Sequence, residues 1–155
     1  MRILGNIIWH VPCFGFFTAI CTAVSGVAFT ITVVGAPIGL GLLEFSKFLL
    51  WPFGNAMVNK DDLNIEQNEA WKTYSTVVKI VYFPFGLLLS FLVIIQMIFM
   101  FVSIVGIPAA LVLAKSLSTY LNPVNKKCVS VAVIQELEKR KNQKDMDKYL
   151  GQNSE

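Results

Sequence analysis

Residue types that carry acid–base, metal or nucleophilic chemistry are scarce in this chain. The only histidine, His10, lies in an apolar run with no cluster of carboxylates or cysteines around it. The three cysteines, Cys13, Cys21 and Cys128, are odd in number and lack metal-ligand spacing, so they read as small apolar residues. No phosphate-binding loop, nucleophile elbow or dinucleotide fingerprint occurs. These absences point away from an enzyme and leave no catalytic set, cofactor or metal site to name.

Charge is just as sparse, and its placement is uneven. Only 15% of residues are charged, whereas 55% are hydrophobic, a balance too apolar for an ordinary soluble domain. From Ile3 to Asn59 the only Asp, Glu, Lys or Arg residues are Glu44 and Lys47, and from Ile80 to Asn125 the only one is Lys115. Each block is far longer than the roughly 20 apolar residues needed to cross a bilayer. Arg2 resembles the start of a signal peptide, but the apolar run continues to Phe53, well past the usual length of a removable segment. Ile20 stands where a lipidated Cys21 would need a small residue, and the whole chain is expected to be mature protein.

What the chain does have is a pattern written twice. Gly35, Pro37, Pro52 and Val58 recur 71 residues later as Gly106, Pro108, Pro123 and Val129, and the same register matches Phe14 with Phe85, Gly15 with Gly86 and Val34 with Val105. Gly/Pro interruptions at corresponding positions of two hydrophobic halves are the mark of a membrane protein built from repeats around broken helices. The expected fold is an all-α integral membrane protein of two sequence-related repeats. Each is a long transmembrane helix, a Gly-x-Pro break and a shorter apolar helix, and a soluble helix follows at the C-terminus. The divisions are residues 4–59 and 76–130 for the repeats, 60–75 for a polar linker and 131–155 for a charged tail.

Within the first half, Ile7 to Val34 is long enough for a helix of about 40 Å, with Pro12 and Gly15 as points of bending. Pro37 lacks an N–H and ends or kinks it. Ile38 to Phe53 then makes about 24 Å of helix, short for a full crossing. In the second half the long segment is Thr76 to Val105 and the short one Ala109 to Leu121. Trp9, Trp51, Trp71, Tyr74, Tyr82 and Tyr120 fall near segment ends, where amphipathic rings mark the interfaces. Residues 53–58 and 128–133 have strand character at equivalent points and are candidates for pairing. Two, three or four crossings are all compatible with these lengths.

The sequence Gly35-Ala36-Pro37 followed by Trp51-Pro52-Phe53-Gly54 resembles the YccF family of bacterial inner membrane proteins, over roughly Leu4 to Val133. The resemblance implies a multi-pass protein of the inner membrane, commonly with two copies of the domain, and no established biochemical activity. The second copy departs from the pattern, with Asn122-Pro123-Val124-Asn125 at the turn.

Candidate functional residues follow from the cost of polarity in lipid. Glu44 and Lys115 each lie seven residues after a break proline, at equivalent positions and with opposite sign. An ion pair between the halves and a headgroup position with snorkelling are both open to them, and Lys47 competes as the partner of Glu44. Gly35, Pro37, Gly106 and Pro108 could expose backbone to a ligand, or serve close helix packing. Thr30, Thr32, Ser103 and Gln96 are polar positions on the long segments.

From Lys126 onward there are seven Lys/Arg, which places the C-terminus in the cytoplasm by the positive-inside tendency. The net charge of +3 fits attraction to anionic lipid and not nucleic-acid recognition. Partners expected are the bilayer, further copies of the chain and a cytoplasmic protein. The function expected is a homo-oligomeric channel or small-solute/ion permease; the alternative is a non-transporting scaffold or accessory subunit that recruits a partner through its C-terminal helix.

Overall fold

The computed structural model describes residues 2–11, 14–63, 65, 68–104 and 106–152. The expected bend at Pro12, and the positions Cys13, Glu66 and Val105, lie outside the described residues. The described residues form six α-helices and two short strands: α1 Arg2–His10, α2 Gly15–Ile31, α3 Ala36–Leu50, β1 Asn55–Asn59, α4 Glu69–Phe101, α5 Gly106–Leu121, β2 Lys126–Ser130 and α6 Val131–Gln152. A 3-10 turn, Asp61–Leu63, follows β1.

Two of these are helical hairpins. In the first, α2 and α3 approach closely because Gly26 and Gly39 face each other, so that a side chain on Gly39 would run into the Gly26 carbonyl and Thr30. Pro37 does not kink a continuing helix here; it sits in the first turn of α3, where its missing N–H costs nothing. The turn between the helices passes through Val33 at φ 53, an unfavourable conformation for a β-branched residue. The Tyr74 hydroxyl, from α4, sits against the carbonyl oxygens of Val33 and Val34 at 2.9 and 3.0 Å and holds the turn there. The second hairpin joins α4 to α5.

The two halves diverge before the hairpins. The axes of α1 and α2 differ by 75°. In the second half, by contrast, helix runs unbroken from Glu69 through Pro84. It begins seven residues ahead of the expected Thr76, because the Asn68 side chain caps it by accepting from the Ala70 N–H at 3.3 Å.

β1 and β2 pair antiparallel, with Asn55 opposite Ser130, Met57 opposite Cys128 and Asn59 opposite Lys126. The α3 side of this sheet holds the core: Phe45, Phe48, Leu49, Ala109 and Val112, with Met57 and Cys128 packed against it. Successive strand residues face opposite ways, so Ala56, Val58 and Val129 point away from that core. α6 starts where the Val131 N–H donates to the Gly54 carbonyl (3.0 Å) and runs back until Lys141 pairs with Asp62 at 2.8 Å, just past the other end of β1. Ten helical residues cover about 15 Å, the length of a five-residue strand. Its half-buried stripe is the expected one, Val131, Ile134 and Leu137.

The hairpins project from opposite ends of this sheet. Tyr74 holds the first tip, and the adjacent Ser75 accepts from the Asn125 amide (3.0 Å) at the Asn59/Lys126 end. Three contacts show the short helices passing in opposite senses: Gly41 against Pro123, Phe45 edge-on to Tyr120 at 5.3 Å, and Lys115 beside Pro52. The start of α5 therefore extends beyond Pro52, away from the first tip.

Candidate functional site

Glu44 and Lys115 lie apart in their bonding, although they hold equivalent sequence positions. Glu44 pairs with Lys47, one turn on along α3, at 2.5 Å. Its other carboxylate oxygen accepts the Cys128 backbone N–H at 3.0 Å, satisfying a donor on the outer edge of β2. Lys115 instead points its Nζ at the Pro52 carbonyl, 3.4 Å away, and lies 5.5 Å from the centre of the Phe53 ring. A lysine cannot accept from a strand N–H, so the two side chains do different work: Glu44 clamps a strand edge and Lys115 steadies a turn.

The break residues serve backbone packing in this structure. Gly35 and Pro37 are buried, and Gly106 and Pro108 half-buried, at the starts of α3 and α5. Gly35 borders an apolar recess of about 520 Å3 between the first tip and α4, walled by Phe29, Ile38, Val78 and Val81. Thr30 donates its hydroxyl to Gly26 and Thr32 to Phe29, so both satisfy their own helix backbone. Gln96 is exposed on α4.

The Trp51–Gly54 turn is held by α1, which the sequence alone did not suggest. Trp9 Nε1 donates to the Leu49 carbonyl (2.9 Å), His10 Nε2 lies 2.8 Å from the Leu50 carbonyl, and the Asn6 side-chain oxygen accepts the Phe53 N–H at 3.2 Å. The first two supply partners to carbonyls that every helix C-terminus leaves open. Pro52 and Pro123 are buried while Trp51 is exposed. In the second copy the Asn122 side chain accepts the Val124 N–H at 3.2 Å, and Asn125 takes φ 58 at the position of Gly54. Asparagine tolerates that region, whereas Gly54 does not take a positive φ, so the two turns differ in backbone conformation.

The charged groups gather beside β2. A recess of about 550 Å3 opens between α3 and the linker, walled by Leu40, Leu43, Glu44, Lys47, Lys60 and Lys127. Lys126, behind it, is 7% exposed and donates to the Ser118 hydroxyl at 2.7 Å. Burial, helped by the nearby Lys79, pushes its pKa down to about 8. Burial, and then the Glu44 charge, push the Cys128 thiol up to about 11, which keeps it an unreactive thiol. Among the described residues no three of His, Cys, Asp and Glu gather as a metal-binding set.

The Lys126 environment sets a pH dependence. A lysine with a lowered folded pKa favours its neutral form in the fold, so the unfolded chain takes up the proton first as pH falls from 10.5. Stability should therefore rise as pH climbs from about 8 to about 9 and be level below that window; above about 9 the Cys128 thiol, held neutral in the fold while the unfolded chain ionises, opposes the rise. Thermal midpoints in detergent across that window should show the slope, and Lys126→Met should flatten it; an unchanged slope in the variant would assign it elsewhere.

The apolar surface decides the setting. α4 is long and apolar enough to cross a membrane, and only 22% of its most apolar stretch is buried within the molecule. A core helix of a soluble protein would be mostly buried.

Residues 4–55 match the YccF family. Its description is an inner membrane component domain. No curated protein and no solved structure matches the chain. The YccF match takes in α1, α2, α3 and the Trp51–Gly54 turn and stops at Asn55, the first residue of β1. Its content is thus one helical hairpin with the helix and turn that brace it. The chain is accordingly a mostly helical inner membrane protein, and α1 belongs to the YccF unit.

Proposed function

We propose that the protein is a non-transporting scaffold of the inner membrane: a duplicated hairpin unit that enters the bilayer from its cytoplasmic face and offers α6 to a soluble partner. The observation that carries this reading is the position of the sheet. Its two strands are sequence equivalents, and the equivalent residues Met57 and Cys128 stand opposite each other. A twofold axis perpendicular to the sheet produces that pairing. α6 and the charged linker cover one end of the axis, and the apolar helices cover the other. With the axis along the membrane normal, α6 and its charged face turn to water. With the axis in the membrane plane, the charged face of α6 would lie at mid-depth in hydrocarbon, at heavy cost.

The tips support the same orientation. Val33 and Val34 are each 73% exposed, and Val102 and Ile104 are 85% and 87% exposed. Side chains of this kind belong in hydrocarbon, and the Tyr74 hydroxyl beside the Val33 and Val34 carbonyls provides the partner that lipid cannot. α1 presents Ile3, Leu4 and Ile7 along one exposed face, with Val11 just after its end, as an interfacial helix does. Seven Lys/Arg from Lys126 onward support a cytoplasmic position for the α6 side.

A channel is the second reading, favoured by α4, whose apolar part from Thr76 to Phe101 would measure about 39 Å, enough to span a bilayer upright. Upright copies in a ring would turn their sheets and α6 helices toward a central lumen. Single cysteines at Val34 and Ile104, in a chain with Cys13, Cys21 and Cys128 replaced by serine, separate the two. One-sided insertion predicts that an impermeant maleimide applied from outside reaches neither, whereas a cysteine at Tyr149 reacts from inside. Reaction at one tip only would establish upright, inverted halves and overturn the scaffold. The mass of the intact complex in native lipid discs then distinguishes a closed ring from a monomer or dimer.

A further inference from the structure

We propose that the recess between α3 and the linker binds the phosphate of an anionic lipid headgroup. This rests on the one-sided orientation above, which sets the recess at the level where the apolar layer meets water. Its chemistry is divided in the way such a ligand is. Leu40 and Leu43 on α3, together with Ile65, supply its apolar lining, while Lys47, Lys60 and Lys127 line the same opening. Glu44 offsets only one of these charges, and it is engaged twice over, by Lys47 and by the Cys128 N–H. The recess thus keeps a net charge of about +2, with lysines that act as point charges toward phosphate.

Three separate parts of the chain supply these lysines, and the fold brings them together. Lys47 comes from α3, Lys60 from the residue after β1, and Lys127 from β2. Lys60 is fixed by its backbone, since its N–H donates to the Asn125 carbonyl at 2.8 Å. Strand pairing places Lys127 opposite Val58, two residues before Lys60. The cluster is therefore set by the same sheet that joins the two halves. An anionic lipid seated there would bridge α3 of the first half and β2 of the second.

The test uses the full chain in bilayers of mixed phosphatidylglycerol and phosphatidylcholine, extracted gently and weighed intact with its retained lipid. Wild type should keep phosphatidylglycerol through washing that removes phosphatidylcholine. Lys60→Gln/Lys127→Gln should reduce that retention by about tenfold or more, since each lysine near an anionic surface contributes measurably. Lys60→Arg/Lys127→Arg should keep it, which separates charge from folding. Lys139→Gln/Lys148→Gln, with the same loss of charge on α6, should leave it unchanged. Equal retention in wild type and the Lys60/Lys127 glutamine variant, or an equal fall in the α6 variant, overturns the site. Displacement of the lipid by millimolar inorganic phosphate overturns the lipid as occupant in favour of a soluble phosphate ligand. Failure of the membrane reading itself would show separately, as release of wild type from bilayers by alkaline carbonate.

Discussion

Gly41→Val is expected to leave almost no folded protein in detergent, and Gly41→Ala to lower stability by about 2–4 kcal/mol, a large part of what a domain of this size possesses. A Cβ at Gly41 would land on the backbone carbonyl of Pro123, and the main chain there cannot move aside as a flexible side chain would. Pro123 is itself fully buried, and the contact lies where α3 meets the run from α5 into β2. Gly86→Ala should cost a similar amount, since its Cβ would meet the Leu121 carbonyl. Gly5 is the control: its Cβ would meet only the Phe53 ring, at 3.0 Å, so Gly5→Ala should stay within about 1 kcal/mol. Thermal unfolding and monodispersity in detergent give the ranking. A mild Gly41→Ala would mean that the two halves are not locked together at this point.

Trp9→Ala should destabilise by about 3–5 kcal/mol, the range for removing a large buried aromatic residue. Trp9 is 5% exposed, packs in the core and donates to the last turn of α3 through its indole N–H. Gly15 lies directly against the same ring, so the indole also sets where α2 begins. Trp9→Phe should recover most of the packing and lose the hydrogen bond, leaving a deficit of about 1 kcal/mol. Trypsin sensitivity should rise at the same time around Lys47, because α1 would no longer brace the end of α3. A Trp9→Ala chain with wild-type stability would show that α1 only rests on the membrane and does not hold the turn.

Much of the local structure was legible in the residues. Pro37 and Pro108 mark the starts of the short helices, because proline suits a first helical turn, where its missing N–H is not needed. The stripe of Val131, Ile134 and Leu137 placed α6, and the strand character of residues 53–58 anticipated β1, whereas the expected strand at 128–133 is only half right, since β2 is Lys126–Ser130 and residues 131–133 begin α6. Helix length was less legible. α4 starts seven residues early because a single asparagine caps it, and a polar first turn looks like linker when hydropathy is the guide.

The candidate site was legible only as a list of costly charges. Glu44 and Lys47 stood out because they interrupt a long apolar run, but their one-turn spacing made Lys47 only a competitor to Lys115 as the partner of Glu44, and the fold decides for Lys47. Nothing local indicated that Glu44 would reach Cys128, 84 residues away, or that Lys47, Lys60 and Lys127 would share one recess. The same holds for Trp9 and His10 at the end of α3.

The sequence by itself determined that this chain is a helical protein of the inner membrane, because hydropathy, break residues and the YccF pattern are properties of consecutive residues and need no partner in space. The tertiary structure alone decided which surfaces face which. Pairing of β1 with β2 is a contact between distant segments, and its register sets the direction of both hairpins, the cover of α6 and the grouping of the lysines. A helix or strand is specified by its own period, but a sheet edge, a buried glycine contact or a charged recess exists only once two such elements have met.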